Sequence, residues 1–505
     1  MGMGDARVLS KPAGIVPWIW IAGLLALLLW GYTRSNNFPF YYHTDEPGKV
    51  EQVISGQPNY RHPLLMINAT NALVRLLNVP RNPQRIVIVG RWGSALAAIA
   101  AIIAVILVTR RQSNWMLGVF AGALAGFHPF LFEATHYLKE DCYLLAGLAW
   151  TWYAVDRFCE RQSAGWLWFS GITSGIAISG KYLGILALGF AIGVVVYQSR
   201  RAGWSIALYR CVLLVSACVV TAGLLNFQTM LHPVDAMNGL GRELNRIDRD
   251  RTSALFSKNY FFLLIERAGL PLVLSGLAYL AIILRRREKT RLIEVALLIF
   301  AFAYLLVLCL TPLGKARYLI PVVTLFSIFA VWAMRSITVS IHERHSAFPQ
   351  SAAALAGCCL LVAAELPFTF LGEHEFSHDQ RTKMVEWIRA NLPVSAVIAH
   401  ESRIWPSRDP GDWRTQLPQR RLSPPYFSIT LGNIENMKRL GITHVVAAGA
   451  EYRRTVGEDH VSVGATSSFY QELKEKGRVV WQVPPGRILY LTPGLTIYAL
   501  PDENQ

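Results

Sequence analysis

Long apolar runs recur along the first three quarters of the chain, separated by short polar connectors. A membrane-spanning helix needs roughly 20 mainly apolar residues. About eleven runs meet that length: 15–32, 86–109, 115–134, 140–157, 164–179, 181–198, 205–226, 260–284, 292–311, 317–335 and 350–370. They predict an α-helical polytopic membrane body over residues 1–371, with two long polar connectors at 33–85 and 227–259. Arg7 and Lys11 precede the first run, and no small-residue cleavage site follows it, so it reads as a retained anchor.

The pattern changes after residue 371. DQRTKMVEWIRANLP (379–393) has helical spacing, with Asp379 at its start and Pro393 as a stop. SAVIAH (395–400), THVVAA (443–448) and VVWQV (479–483) read as strands, with helical patterns at 432–440 and 467–476 between them. Residues 372–505 are therefore expected to form an extramembrane α/β domain.

Composition agrees with this division. Hydrophobic residues make up 53% of the 505 and charged ones 16%. A soluble protein averages about 25% charged, so disorder is excluded and a wholly soluble enzyme disfavoured. The formal charge is +16, unevenly spread. Residues 1–371 hold 33 Lys and Arg against 18 Asp and Glu, net +15, whereas residues 372–505 hold 16 against 15. All seven cysteines lie in or beside apolar runs of the first part, which implies no disulfide framework.

Charge also orients the chain. Lys and Arg are almost evenly divided between the two sets of connectors. One set is short and densely basic, with Arg110-Arg111, Arg200-Arg201 and Arg285-Arg286-Arg287; the other spreads its cations over the two long connectors. Short loops carry the topological signal. The N-terminus is therefore expected in the cytoplasm. Eleven crossings would put residues 372–505 outside, facing the periplasm if the membrane is a bacterial inner membrane.

Ionisable groups near a bilayer need a reason, since an acid at mid-membrane costs about 2.5–3.5 kcal/mol on insertion scales. The first outer connector carries Asp45-Glu46 and, further on, Arg61-His62-Pro63-Leu64-Leu65. Lys139-Glu140-Asp141 precedes the fourth span, Lys181 lies at the turn between the fifth and sixth, and Gly314-Lys315-Ala316-Arg317-Tyr318 precedes the tenth. The expected topology puts all five on one face. Carboxylates facing a group of cations suit a phosphate ligand and deprotonation of a hydroxyl.

In order and spacing over about 300 residues, these pieces resemble the GT-C superfamily of integral membrane glycosyltransferases. The nearest groups are of the protein O-mannosyltransferase and aminoarabinose-transferase type, which use polyprenyl-phosphate sugars. The matching pieces are Asp45-Glu46, the HPLL at 62–65 in place of a usual Lys-Pro-Pro-Leu, Lys139-Glu140-Asp141, Gly180-Lys181-Tyr182-Leu183-Gly184 and Arg317-Tyr318-Leu319-Ile320-Pro321. The resemblance implies Asp45 as catalytic carboxylate, supported by Glu46, with Asp141 as the second acidic motif. It implies donor-phosphate contacts from Arg61 or His62, Lys181, Lys315, Arg317 and Tyr318. No metal set is assigned; a divalent ion, if used, would take His62 or Glu46. The implied partners are an undecaprenyl- or decaprenyl-phosphate sugar, membrane lipids, and a glycan, lipid or protein acceptor, with no nucleic acid.

Two other function classes have a residue basis. His374-Glu375-Phe376-Ser377-His378 matches H-E-x-x-H, a zinc-protease signature, with Glu401 as a third ligand. A polytopic chain with outer charges also suits a lipid or solute transporter. Transporters place charges near mid-membrane and often repeat a half, neither of which is seen here. The outer loop from His232 to Lys258, with Arg242, Arg246, Arg249 and Arg251, reads as a mobile lid or a solvated helix.

Overall fold

Every apolar run is helical in the computed structural model, which describes residues 15–38, 43, 45–249, 259–267, 269–285, 291–310, 315–345, 350–400, 417–422, 433–449, 465–486 and 494–501. Among them, six helices are long and apolar enough to cross a membrane, or seven if the pair Trp115–Gly126 and Pro129–Thr135, bent by 66°, is one span. The expectation was eleven. The remaining runs fall short for identifiable reasons. Ala164–Gly180 has 17 residues. Asp141–Arg161 carries Asp141, Asp156, Arg157, Glu160 and Arg161. The run 260–284 forms two helices, Asn259–Arg267 and Leu270–Arg285, with Gly269 at φ +84° before the second. The chain divides into two compact units, residues 1–33, 58–69 and 91–369 in one, and 34–57, 70–90 and 370–505 in the other.

Small residues let the helices of the first unit approach closely, as expected where lipid gives no hydrophobic drive for association. A Cβ on Gly147 would lie 2.3 Å from the Ala177 backbone nitrogen, and one on Gly171 would lie 2.4 Å from the Leu214 carbonyl oxygen. Asp141–Arg161, Ala164–Gly180 and Trp204–Leu225 thus stack backbone to backbone. Thr151 Oγ1 donates to Thr173 Oγ1 at 3.0 Å across the first pair. The C-terminal carbonyls of Pro83–Gln112, which lack partners within the helix, are met by other helices. Trp332 Nε1 donates to the Thr109 carbonyl at 3.3 Å, Arg291 to that of Arg111 at 3.4 Å, and Arg335 to that of Gln112.

The long connectors are not loops. Residues 33–85 contain the helices Glu46–Ser55 and Leu65–Leu76, and 227–259 contain Phe227–Leu231 and Pro233–Arg249.

In the second unit a five-stranded sheet has the strands β1 (Val397–His400), β2 (Arg420–Leu422), β3 (His444–Ala448), β4 (Arg478–Val483) and β5 (Leu495–Ala499), in the order β2-β1-β3-β5-β4. β1 runs parallel to β2 and β3, while β5 is antiparallel to β3 and β4. Both faces are covered. Met384, Val385 and Ile388 of the helix Gln380–Asn391 pack on Ile398, Val446 and Ile497. Ile434, Met437, Phe469 and Leu473 pack with Ala399 and Val445 on the other side. The three expected strands are present; β2 and β5 were not foreseen. Residues 34–57 join this unit through Arg34 Nε, 3.0 Å from Glu373 Oε1, and through Phe38, whose ring centroid is 5.3 Å from that of Phe376.

Gly147→Val is expected to overpack the Ala177 contact, costing about 1–3 kcal/mol. Thermal unfolding in detergent should show a lowered midpoint for Gly147→Val. Gly189→Ala should show none, since nothing lies within 4 Å of a Cβ there.

Candidate active site

A carboxylate placed at the end of a helix inside an apolar bundle must find cations. Asp141, the first residue of Asp141–Arg161, is 3% exposed. Its Oδ1 accepts a hydrogen bond from Lys181 Nζ at 2.7 Å, and its Oδ2 faces Arg317 Nε at 3.6 Å. Oδ2 makes no hydrogen bond among the described residues. Lys181 Nζ also sits 3.8 Å from the centroid of the Tyr318 ring, and the Arg317 guanidinium 5.5 Å from it. One carboxylate, two cations and an electron-rich ring therefore share one buried place in the first unit. The three charges sum to one positive, a balance that suits an added anion.

Local structure fixes each member. Lys181 is the extended residue that ends Ala164–Gly180, its N–H bonded to the Ala177 carbonyl at 3.0 Å. The close packing of Gly180 on Leu144 brings this turn against the start of Asp141–Arg161, and that of Gly184 on Ala177 folds it back on Ala164–Gly180. Arg317 and Tyr318 lie in the 3-10 turn Ala316–Leu319, which runs into Ile320–Arg344. Three helix ends thus meet at Asp141. Lys315 is half-buried and its carbonyl accepts the Tyr318 N–H at 3.0 Å; Gly314 lies outside the described residues.

Sequence reading missed three contributors. Arg91 is fully buried within Pro83–Gln112, one turn before Ser94. The Lys139 N–H donates to Ser94 Oγ at 3.4 Å, next to the acidic motif. An arginine inside an apolar run was the available signal. Tyr304 is buried on Leu292–Cys309, within electrostatic reach of Asp141, Tyr260 and Tyr318, and its hydroxyl has no hydrogen-bond partner among the described residues. Asn226 ties the segment 58–69 to the Lys181 turn. Its Oδ1 accepts the Leu64 N–H at 2.7 Å, and its Nδ2 donates to Ser179 Oγ at 2.8 Å.

Arg61 is exposed and His62 half-buried, three and two residues ahead of that Leu64 anchor. Asp45 and Glu46 belong to the second unit. Asp45 stands at the N-cap of Glu46–Ser55, but its side chain makes no capping bond. Its N–H donates to His43 Nδ1 at 3.1 Å. Glu46 is fully buried, and Lys49, one turn on, is nearly so. Among the described residues no three His, Cys, Asp or Glu side chains form a group able to hold a metal ion. That applies to His62 and Glu46, and equally to the H-E-x-x-H segment. His374 and His378 are exposed there, with rings stacked at 3.9 Å. Glu401 lies outside the described residues.

Comparison with known proteins gives a family match to part of the chain and a fold match to nearly all of it. Residues 85–224, which include Asp141 and Lys181, match the family model for dolichyl-phosphate-mannose-protein mannosyltransferase. None of the curated proteins compared matches the chain. Two solved structures of ArnT from Cupriavidus metallidurans are similar over 96% of this chain and 98% of theirs. The one bound to undecaprenyl phosphate gives a TM-score of 0.54 at 14% identity, and the apo one 0.52 at 14%. The chain therefore shares the fold of these ArnT structures.

Breaking a buried pair by removing one partner costs about 3–5 kcal/mol. Asp141→Asn and Lys181→Met should each destabilise the protein strongly in detergent unfolding. The double variant should lose less than the sum, with a coupling of about 0.5–3 kcal/mol. Additive losses would mean that the pair contributes nothing.

Proposed function

We propose that this protein is an inverting membrane glycosyltransferase that moves a sugar from a polyprenyl-phosphate of the undecaprenyl or decaprenyl type to an acceptor hydroxyl. The observation that supports this most is the buried group of Asp141, Lys181, Arg317 and Tyr318 in a chain with the ArnT fold.

The chemistry is a single displacement. Asp45 takes the proton from the acceptor hydroxyl as its oxygen attacks the anomeric carbon. The bond from that carbon to the phosphate oxygen breaks, and the lipid phosphate leaves with the electron pair. Lys181, Arg317 and Lys315 receive the developing negative charge, assisted by Arg61 or His62. Glu46 supports Asp45. Asp141 holds Lys181 and Arg317 in place, so their arrangement exists before the anion arrives. Inversion needs no covalent sugar–enzyme intermediate, so a second carboxylate acting as nucleophile is not required. The acceptor is a cell-envelope glycan, lipid or protein on the outer face of a bacterial inner membrane. The domain after residue 371 lies on that same face. No step is assigned to a metal.

The test is incubation of purified protein with a panel of polyprenyl-phosphate sugars and candidate acceptors, followed by mass spectrometry of lipid and product. Turnover is expected with at least one donor. Asp45→Asn should lose about 10²–10⁴-fold in rate while retaining donor binding, and Glu375→Gln should leave transfer intact. An Asp45→Asn protein of full activity would remove Asp45 as the base. Absence of turnover across the panel, with EDTA-sensitive peptidase activity instead, would overturn the glycosyltransferase reading.

A further inference from the structure

Sixteen residues along one helix separate Asp141 from Arg157, a rise of about 24 Å at about 1.5 Å per residue. That is most of the roughly 30 Å hydrocarbon thickness. Arg157 therefore marks the opposite end of the bundle from the Asp141 site.

A second charged group is built there. Arg111 Nε pairs with Asp156, and Arg111 Nη2 lies 3.1 Å from Glu160 Oε2. Arg157 Nη1 shares that same Glu160 oxygen at 2.7 Å. Two carboxylates are thus spent on two guanidiniums. Arg110 remains, half-buried, with no ion pair among the described residues. It is hydrogen-bonded to Tyr153, and the charges of Arg111 and Arg157 both oppose it. Its guanidinium sits 3.8 Å from the centroid of the Trp115 ring. Arg157 Nε is buried and has no hydrogen-bond partner among the described residues.

Aromatic rings flank this excess charge. Trp166 lies edge-on to Tyr153 at 5.7 Å, with the Arg157 guanidinium 5.3 Å from its centroid. The Trp18 ring lies tilted against that of Trp115 at 5.1 Å and is 55% exposed. Tryptophan and tyrosine at the ends of spanning helices mark the head-group level of a bilayer. Like charges held together at low dielectric are costly unless an anion joins them. Guanidiniums fit phosphate oxygens, and basic pockets between spanning helices take anionic head groups.

We propose that Arg110, Arg157 and Tyr153, flanked by Trp115 and Trp166, bind the phosphodiester head group of an anionic membrane lipid in the leaflet opposite the Asp141 site. The lipid supplies the counter-charge that the two carboxylates do not. Binding there is separate from sugar transfer and does not depend on it.

Native mass spectrometry of the full chain in detergent tests this. Phosphatidylglycerol and phosphatidylcholine of matched acyl chains would be titrated in parallel, with inorganic phosphate as a third arm. Wild type should retain phosphatidylglycerol in preference to phosphatidylcholine, and millimolar phosphate should not displace it. Removing one cation near an anionic lipid surface should weaken retention about fivefold, so Arg110→Gln should show that loss and Arg110→Lys should not. A lipid-free thermal transition like that of wild type would show that Arg110→Gln is folded. Quenching of tryptophan fluorescence in the unaltered protein, stronger by brominated phosphatidylglycerol than by its phosphatidylcholine counterpart, gives a measure independent of any variant. Equal retention of the two lipids, equal quenching by them, or an Arg110→Gln protein with full preference would overturn the proposal. Displacement by free phosphate would make this a soluble-anion site and overturn it as well.

Discussion

The first unit is organised around one requirement: the Asp141 carboxylate, buried at a helix end, must be neutralised. Lys181 and Arg317 do this from two other helix ends, 2.7 and 3.6 Å away. Those distances are reached because glycines let the backbones touch. A Cβ on Gly180 would drive the Lys181 turn away from Asp141–Arg161, and one on Gly184 would clash with the Ala177 backbone of the preceding helix. Helix packing and site electrostatics are therefore one arrangement. Replacing a glycine in that packing is a change to the charged site as much as to the fold.

The same requirement is met differently at the other end of the bundle. Arg111 is satisfied by Asp156 and Glu160, while Arg110 is left with an aromatic face and a phenol. At both ends the protein keeps more cation than carboxylate. This gives the +16 formal charge a structural meaning. Around Asp141 the surplus is a single charge on a preassembled frame, suited to holding an anion. At the far end the surplus lies among tryptophans.

Much of this was legible in the sequence. Apolar runs located the helices, because burial in lipid demands continuous hydrophobicity. The ordered pieces from Asp141 to Tyr318 identified the members of the buried group, because each lies where an apolar run begins or ends. Other features were illegible for physical reasons. Arg91, an arginine inside an apolar run, could be singled out, but the run gives no sign of what that cation meets once buried. Asn226 is one polar residue at a helix terminus. Its role as a hub depends on Leu64 and Ser179, distant in sequence. β2 has only three residues at a sheet edge. The helices within 33–85 and 227–259 are amphipathic and short, so a search for long apolar runs passes over them. Residues 34–57 group with the C-terminal part through Arg34 and Glu373, a pairing of charges more than 300 positions apart.

On the proposed function, the cations around Asp141 hold a lipid phosphate. The most direct measurement is equilibrium binding of a polyprenyl phosphate, compared with the polyprenol of the same chain length, to wild type and to Arg317→Gln. Wild type should bind the phosphate at least about tenfold more tightly than the alcohol, a difference of about 1.4 kcal/mol. Arg317→Gln should lose most of that preference while binding the alcohol unchanged. Equal affinity of wild type for phosphate and alcohol would contradict the claim, whatever the protein's activity.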